Sequence, residues 1–116
     1  MARPRKWRKV CALPAMNHFG PIGRARVGED VVSMTVDEYE AIRLIDWEGF
    51  TQEECAEQMG ISRTTVQGIY SGGRKKLADV LVHGKILSIE GGEFFLCEGE
   101  GRGCGPGCRR HRRGRR

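Results

Sequence analysis

The chain has 116 residues, with 20 Lys and Arg against 15 Asp and Glu, five Cys and 17 Gly. This length accommodates one small domain and excludes a large catalytic barrel or a doubly wound nucleotide-binding fold. No apolar run approaches the roughly 20 residues of a membrane span, and no apolar stretch follows the basic start as in a signal peptide. We therefore expect a cytoplasmic protein with reduced thiols and no membrane association.

The charge is unevenly distributed along the chain. Residues 1–30 have a net charge of +5, residues 31–100 have −7, and residues 101–116 contain seven Arg and no acidic residue. Basic arms neutralise phosphates and release counterions, so this distribution favours a nucleic-acid partner. The alternative is that the arms only improve solubility.

Residues 1–33 are predicted to form a basic irregular arm, because Pro and Gly residues interrupt any helical period. The arm opens with the run RPRKWRK at residues 3–9, which suits contact with a phosphate backbone. We expect its aromatic residue, Trp7, to pack on the core.

Residues 34–97 are predicted to form the folded domain. Thr35 with Glu38 and Thr51 with Glu54 have the capping-box spacing, which indicates the starts of two helices. A third helix is predicted from Arg63, and we expect it to weaken or bend near the adjacent glycines at residues 72 and 73. Because the third helix is expected to divide at these glycines, the predicted core has four helical segments.

After Gly84 the spacing of apolar residues changes from a helical pattern to one typical of strands. Residues 86–90 and 93–97 read as two short strands around a Gly-Gly turn, which predicts a β-hairpin docked on the helices. Pairing with the N-terminal segment is a further option. Residues 98–116 are rich in Gly and Arg, so they are predicted to be a disordered tail.

Residues 52–71 contain the strongest motif. A helix-turn-helix needs a small residue where its helices touch, a Gly in the turn and a branched apolar residue on the second helix. Ala56, Gly60 and Val66 meet these needs in the right order. The positions predicted to face inward are Cys55, Met59, Ile61 and Ile69. The alternative is a helical hairpin that only packs.

The residue types on the second helix predict contacts with double-stranded DNA in the major groove. Arg63 and Gln67 suit guanine and adenine edges respectively. Hydroxyl and basic side chains suit phosphates; the candidates are Thr64, Thr65, Ser71, Arg74, Lys75 and Lys76, with Arg3, Arg5, Lys6 and Arg8 from the arm.

Residues 50–77, FTQEECAEQMGISRTTVQGIYSGGRKKL, resemble region 4 of sigma factors, which recognises the upstream promoter element through its second helix. The motifs RPRK at 3–6, TVDEYEAIRLID at 35–46 and IEGG at 89–92 extend the resemblance to roughly residues 3–97. They are similar to a family of small uncharacterised bacterial and archaeal proteins that are predicted to bind DNA. Some members neighbour or are fused to a domain resembling dinitrogenase iron-molybdenum cofactor proteins, which implies a tie to metal-cluster metabolism.

Four of the five cysteines are candidate metal ligands, and the fifth is not. Cys55 is expected to be a small buried hydrophobic residue. The other four are Cys11, Cys97, Cys104 and Cys108, and four thiolates can close a tetrahedral zinc site. His18 and His111 are spare ligands. The alternatives are incidental thiols in a disordered tail and a redox or iron–sulfur sensor.

The sequence thus predicts a mainly α fold: a sigma region-4-like helix-turn-helix bundle with a small C-terminal β-hairpin and irregular basic termini. The predicted function is sequence-specific double-stranded DNA binding in transcription regulation, and no motif indicates an enzyme. The alternative is a metal-binding accessory protein that uses the helix-turn-helix as a scaffold. Its partner would be RNA polymerase or another protein, bound at the acidic residues Glu53, Glu54 and Glu57. An RNA-binding role of the Arg-rich tail is a third option.

Overall fold

The computed structural model describes residues 7–22 and 30–97. Three short strands come first: β1 (Arg8–Val10), β2 (His18–Phe19) and β3 (Val31–Met34). Three helices follow: α1 (Val36–Ile42), α2 (Gln52–Met59) and α3 (Arg63–His83). Two further strands, β4 (Ile86–Ile89) and β5 (Phe94–Leu96), complete the described elements. None of the described helices combines the length and apolar composition that crossing a membrane requires.

The predicted helix starts are confirmed. The Thr35 hydroxyl accepts from the Glu38 amide, while the Glu38 carboxylate accepts from the Thr35 amide at 2.9 Å. Thr51 and Glu54 form the same reciprocal pair at the start of α2. These bonds satisfy amide groups that have no partner inside the helix. The first helix changes to a π-helical segment, Arg43–Trp47, before it ends.

Helix α3 is not divided at its adjacent glycines, residues 72 and 73. It continues through 21 residues, so the described residues form three α-helices and one π-helical segment, and the expected second half of a divided helix is wrong. A Cβ at Gly73 would lie 3.2 Å from Glu38 Cβ and 3.2 Å from Ile42 Cδ1. The glycine therefore allows α1 to pack closely on α3, and this contact offsets the poor helix propensity of Gly.

The predicted β-hairpin is also wrong, although both of its strands exist. β4 is the central strand of a three-stranded sheet, antiparallel to β2 and parallel to β3, whereas β5 pairs in parallel with β1. The connecting glycines lie on the start of α1: Gly91 accepts from the Val36 amide at 3.0 Å. A Cβ at Gly92 would be 2.6 Å from Asp37 Oδ1. The connection is thus packed against a helix and does not close a two-stranded turn.

The prediction of an irregular N-terminal arm is corrected for its described part, because β1 and β2 pair with strands from the other end of the chain. Such long-range pairing has no local sequence signal when the strands have two or three residues. Trp7 is 51% exposed, so its expected place in the core is wrong. The predicted disordered tail lies outside the described residues.

Two apolar clusters hold these elements together. One lies between the first helix, α2 and the start of α3, and contains Ala41, Leu44, Cys55, Ala56, Met59, Ile61, Val66 and Ile69. The other lies between α3 and the strands, and contains Val10, Met34, Val36, Val80, Leu87 and Ile89. The inward positions predicted for residues 52–71 are therefore confirmed. The prediction of a mainly α fold is too simple, since only about half of the described residues are helical.

Candidate nucleic-acid interface

The start of α3 is exposed and well anchored. Ser62 caps the helix by accepting from the Thr65 amide at 3.1 Å, and the turn before it contains Gly60 in the left-handed region at φ 72°. Val66 and Ile69 are buried against α2 and fix the orientation of the helix. The opposite side of its first two turns consequently faces solvent.

A continuous polar stripe covers this solvent side. We call it the polar face of α3, and it consists of Arg63, Thr64, Gln67, Gly68, Ser71, Arg74 and Lys75, all of which are exposed. Residues three and four apart lie above one another on a helix, which places these seven on one surface. The stripe extends over roughly 18 Å at 1.5 Å per residue.

The side chains of Arg63 and Gln67 make no hydrogen bond or ion pair with any residue that the structure describes. Their donors and acceptors are therefore available to a ligand. Gly68 lies between them and the end of the stripe, and a Cβ there would meet nothing within 4 Å. Packing inside the protein does not explain this glycine, whereas it does explain Gly73.

Thr65 differs from the other predicted phosphate contacts. Its hydroxyl lies 2.9 Å from the Ser62 hydroxyl, and its side chain is half-buried. These contacts assign Thr65 to the cap of the helix.

Arg74 belongs to a small surface cluster that sequence reasoning missed. Its guanidinium lies 5.4 Å from the centroid of the Tyr70 ring and 3.6 Å from the Asp46 carboxylate. The Tyr70 hydroxyl donates to Asp46 at 2.8 Å, and partial burial together with this bond raises the pKa of Tyr70. Tyr70 and Arg74 are four residues apart on α3, so the sequence could have predicted their contact. Asp46 lies in the π-helical segment, and no local pattern predicts that it joins them.

Lys75 and Lys76 have different environments although they are adjacent. Lys75 is exposed on the polar face of α3. Lys76 turns towards α1, where its ammonium donates to both Glu38 carboxylate oxygens at 2.8 and 3.0 Å. This ion pair competes with the predicted phosphate contact of Lys76, which stays a prediction.

Arg8 is also paired with acidic residues of the fold. It lies on β1, donates to Glu93 at 2.9 Å and approaches Asp37 to 3.6 Å, and its side chain is 20% exposed. Pairing with two carboxylates occupies the charge that was predicted to follow the DNA backbone. The other predicted arm contacts, Arg3, Arg5 and Lys6, lie outside the described residues.

The outward side of α2 is acidic. Glu53, Glu54 and Glu57 are all exposed, so this surface repels phosphate and differs in sign from the polar face of α3. The two exposed surfaces of α2 and α3 are thus suited to different partners.

Two of the four predicted metal ligands meet in the structure. Cys11 and Cys97 are 1% and 6% exposed and form a separate buried cluster. Cys104 and Cys108, like His111, lie outside the described residues. Within residues 7–22 and 30–97, no group of three or more potential ligands is assembled.

Cys55 is buried as predicted, and its surroundings differ from those of the other cysteines. Burial raises the pKa of its thiol to about 12, and its sulfur lies 3.7 Å from Met59 Sδ. A thiol in such an apolar position is inert.

Comparison with known protein families identifies a match that includes every described helix and strand. Residues 1–96 match the family described as "Protein of unknown function DUF134". The chain belongs to this family. Membership confirms the resemblance to a family of small uncharacterised bacterial proteins, while DNA binding remains a prediction. The DUF134 match includes the polar face of α3 and ends one residue before Cys97.

Similar proteins are found across several bacteria. A UPF0251 protein of Desulfitobacterium hafniense strain Y51 is 64% identical over 113 residues, which cover 97% of this chain and 90% of the relative. A UPF0251 protein of Thermoanaerobacter sp. strain X514 is 48% identical over 103 residues, or 89% of this chain and 91% of the relative. One from Caldanaerobacter subterraneus is 45% identical over 114 residues, or 98% and 95%. No solved structure matches the chain.

Proposed function

We propose that α2, the turn at residues 60–62 and α3 form a helix-turn-helix that binds double-stranded DNA sequence-specifically and regulates transcription in the cytoplasm. The observation that carries this proposal is the polar face of α3. Its base-reading residue types, Arg63 and Gln67, have no partner among the described residues. Arginine and glutamine side chains can each form two hydrogen bonds with a base edge.

The proposed complex places the N-terminal half of α3 in the major groove. Arg63 reads a guanine edge and Gln67 an adenine edge, while Gly68 lets the helix backbone approach the DNA closely. Thr64 and Ser71 donate to phosphates on either side of the groove, and these contacts set the register of the helix.

Basic residues add affinity that does not depend on sequence. Arg74 and Lys75 continue the polar face and contact the phosphate backbone beyond the groove. Arg74 is kept although it lies 3.6 Å from Asp46, because its side chain is 61% exposed. Arg3, Arg5 and Lys6 are proposed to follow the backbone or enter the adjacent minor groove. Thr65, Lys76 and Arg8 are left out of this set because each is occupied within the fold.

Selection of bound duplexes from a random DNA pool, at near-physiological salt, tests the proposal. A defined motif is expected for the full chain. Gln67→Ala should relax the preference at one base position and cost about 1–3 kcal/mol on the preferred site, because a bidentate contact is lost. Equal loss on specific and random duplexes would contradict the role of Gln67.

Lys75→Ala and Lys76→Ala form a matched pair, since both remove one positive charge from adjacent positions. Lys75→Ala should weaken binding to all duplexes alike and reduce the salt dependence by about one phosphate contact. Lys76→Ala should leave the salt dependence unchanged and lower the unfolding midpoint, because it removes the bond to Glu38. Titrations at several salt concentrations, with urea unfolding, measure both effects; equal salt slopes for the two variants would refute the assignment.

The acidic outward side of α2 supports a second candidate, a protein partner such as RNA polymerase. Glu53, Glu54 and Glu57 are exposed on a helix whose other side is buried, and a basic partner surface would complement them. Failure to select any DNA motif, together with partner binding that Glu53→Lys abolishes, would favour this candidate over DNA recognition.

A further inference from the structure

Two cysteines that are far apart in sequence meet at one end of a strand pair. β1 and β5 run in parallel with Val10 opposite Leu96, so the residues that follow, Cys11 and Cys97, continue this register. The Cys97 amide extends the ladder by donating to the Val10 carbonyl at 2.9 Å. Both residues are thiols in the structure, and together they form a buried cluster of their own.

The register brings these thiols within the reach of a disulfide bond. Neighbouring strands lie about 4.8 Å apart, and register partners in a parallel pair have their side chains on the same side. A disulfide joins residues whose Cα atoms are about 4.4–6.8 Å apart. The bond between Cys11 and Cys97 can therefore form with little movement of the backbone.

Cys11 has a hydrogen-bond donor at its sulfur. The Gln58 amide donates to this sulfur at 3.4 Å, whereas the Cys55 sulfur lies 3.7 Å from the thioether of Met59. A donor favours the thiolate, which is the form that attacks an oxidant. Cys11 is 1% exposed, so an oxidant reaches it when β1 and β5 separate. Such opening has a low cost because a pair of three-residue strands is marginally stable.

From this juxtaposition we propose that Cys11 and Cys97 are a modification site, at which hydrogen peroxide forms a reversible disulfide. The Cys11 thiolate attacks a peroxide oxygen and becomes a sulfenic acid, and the hydroxide that leaves takes up the thiol proton. The Cys97 thiolate then attacks the Cys11 sulfur and displaces a second hydroxide, which also becomes water. Two thiols and one peroxide thus give one disulfide and two water molecules, and a dithiol reductant restores both thiols.

The disulfide would fasten the N-terminal strand to the last described strand. It closes a loop that contains all three described α-helices, and cross-links that close long loops restrict the unfolded chain most. We therefore expect oxidation to lower the equilibrium constant of unfolding by about 30-fold or more. The modification does not depend on DNA binding.

Peroxide treatment of the full chain, after reduction and removal of the reductant, tests the site directly. The intact mass should fall by two hydrogens, and peptide mapping should locate the bond between Cys11 and Cys97. Urea unfolding of oxidised and reduced wild type measures the change in stability and requires no variant.

Variants identify the thiols that take part. Cys97→Ser should abolish the bond. The control Cys55→Ala should form it as the wild type does, and so should the double variant Cys104→Ser with Cys108→Ser, since the proposed pair lies within the described core. Gln58→Leu should slow formation of the bond severalfold because the Cys11 thiolate loses its donor. An unchanged rate would contradict the first attack at Cys11.

Three outcomes would overturn the proposal. The first is wild-type chain that retains both thiols after peroxide treatment. The second is loss of the bond in the double variant, which would place the partner thiol in residues 98–116. The third is bound zinc that protects both thiols from peroxide until a chelator is added, which would assign them to the predicted metal site. Gln67→Ala should form the bond normally, which separates this inference from the proposed DNA binding.

Discussion

At the residue scale, the main unexpected feature is a buried ion pair between Glu40 and Arg43. Both Glu40 oxygens accept from Arg43 at 2.9 Å, and Glu48 accepts a further bond at 3.1 Å. Burial by itself would lower the pKa of Arg43, but hydrogen bonding and the charge of Glu40 outweigh it and raise the pKa. Because Glu40 also accepts from the Cys11 amide, the pair joins the first helix to the N-terminal strand.

Replacing one partner of this ion pair tests how much the pair contributes to the stability of the fold. Glu40→Ala leaves the Arg43 charge buried without its main partner, and we expect a loss of about 3–5 kcal/mol in the free energy of unfolding. Glu57→Ala, on an exposed position of α2, is the control and should change it by less than about 0.5 kcal/mol. Urea unfolding measures both; similar values for the two variants would show that the buried pair is not important for stability.

At the element scale, α3 combines two tasks along one uninterrupted helix. Its first half presents the polar face of α3, and its second half packs on α1 and on the strands. The glycines reflect this division, because Gly73 contacts α1 closely whereas the Cβ position of Gly68 is open. Both glycines have poor helix propensity, but only Gly73 is explained by packing inside the protein.

Alanine at each glycine separates these causes. Gly68→Ala should raise the free energy of unfolding by about 0.5–1 kcal/mol, since it improves helix propensity without a clash, and should weaken DNA binding by blocking close approach. Gly73→Ala should lower it by about 1–3 kcal/mol, because the new methyl group is forced against Glu38 and Ile42. Thermal unfolding and DNA titration distinguish the two effects; unchanged DNA affinity of Gly68→Ala would argue against close approach at that residue.

At the scale of the whole molecule, the net charge changes sign along the sequence. Residues 31–100 have a net charge of −7, whereas residues 101–116 have +7. In the proposed DNA complex, base recognition comes from α3, whereas the seven Arg of residues 101–116 add attraction to phosphate that does not depend on sequence. The acidic side of α2 repels phosphate, so it disfavours any orientation of the protein in which that side faces DNA.

Replacing the seven Arg of residues 101–116 by Gln tests this division while it retains Cys104 and Cys108. The variant should bind all duplexes more weakly and show a smaller salt dependence, because fewer counterions are released. The motif selected from a random pool should remain that of the wild type. A changed motif would place base recognition in the tail.

Much of the helical architecture could be predicted from the sequence. Capping boxes, helix ends and the inward positions of residues 52–71 follow from interactions between residues three to five apart, so a local pattern is sufficient to identify them. The exposure of Arg63 and Gln67 follows from the same periodicity. The type of the two final strands was also correct, and so was their pairing with the N-terminal segment, whereas the hairpin pairing of one with the other was wrong.

The tertiary structure decided what depends on distant partners. The parallel pairing of β1 with β5, the neutralisation of Arg8 and Lys76 by acidic residues, and the role of Gly73 all join residues that are far apart in sequence. The sequence by itself determined which residues have the chemistry to contact DNA or zinc. Packing alone decided which of them have free charges and which thiols meet, because both depend on neighbours that only the folded chain brings together.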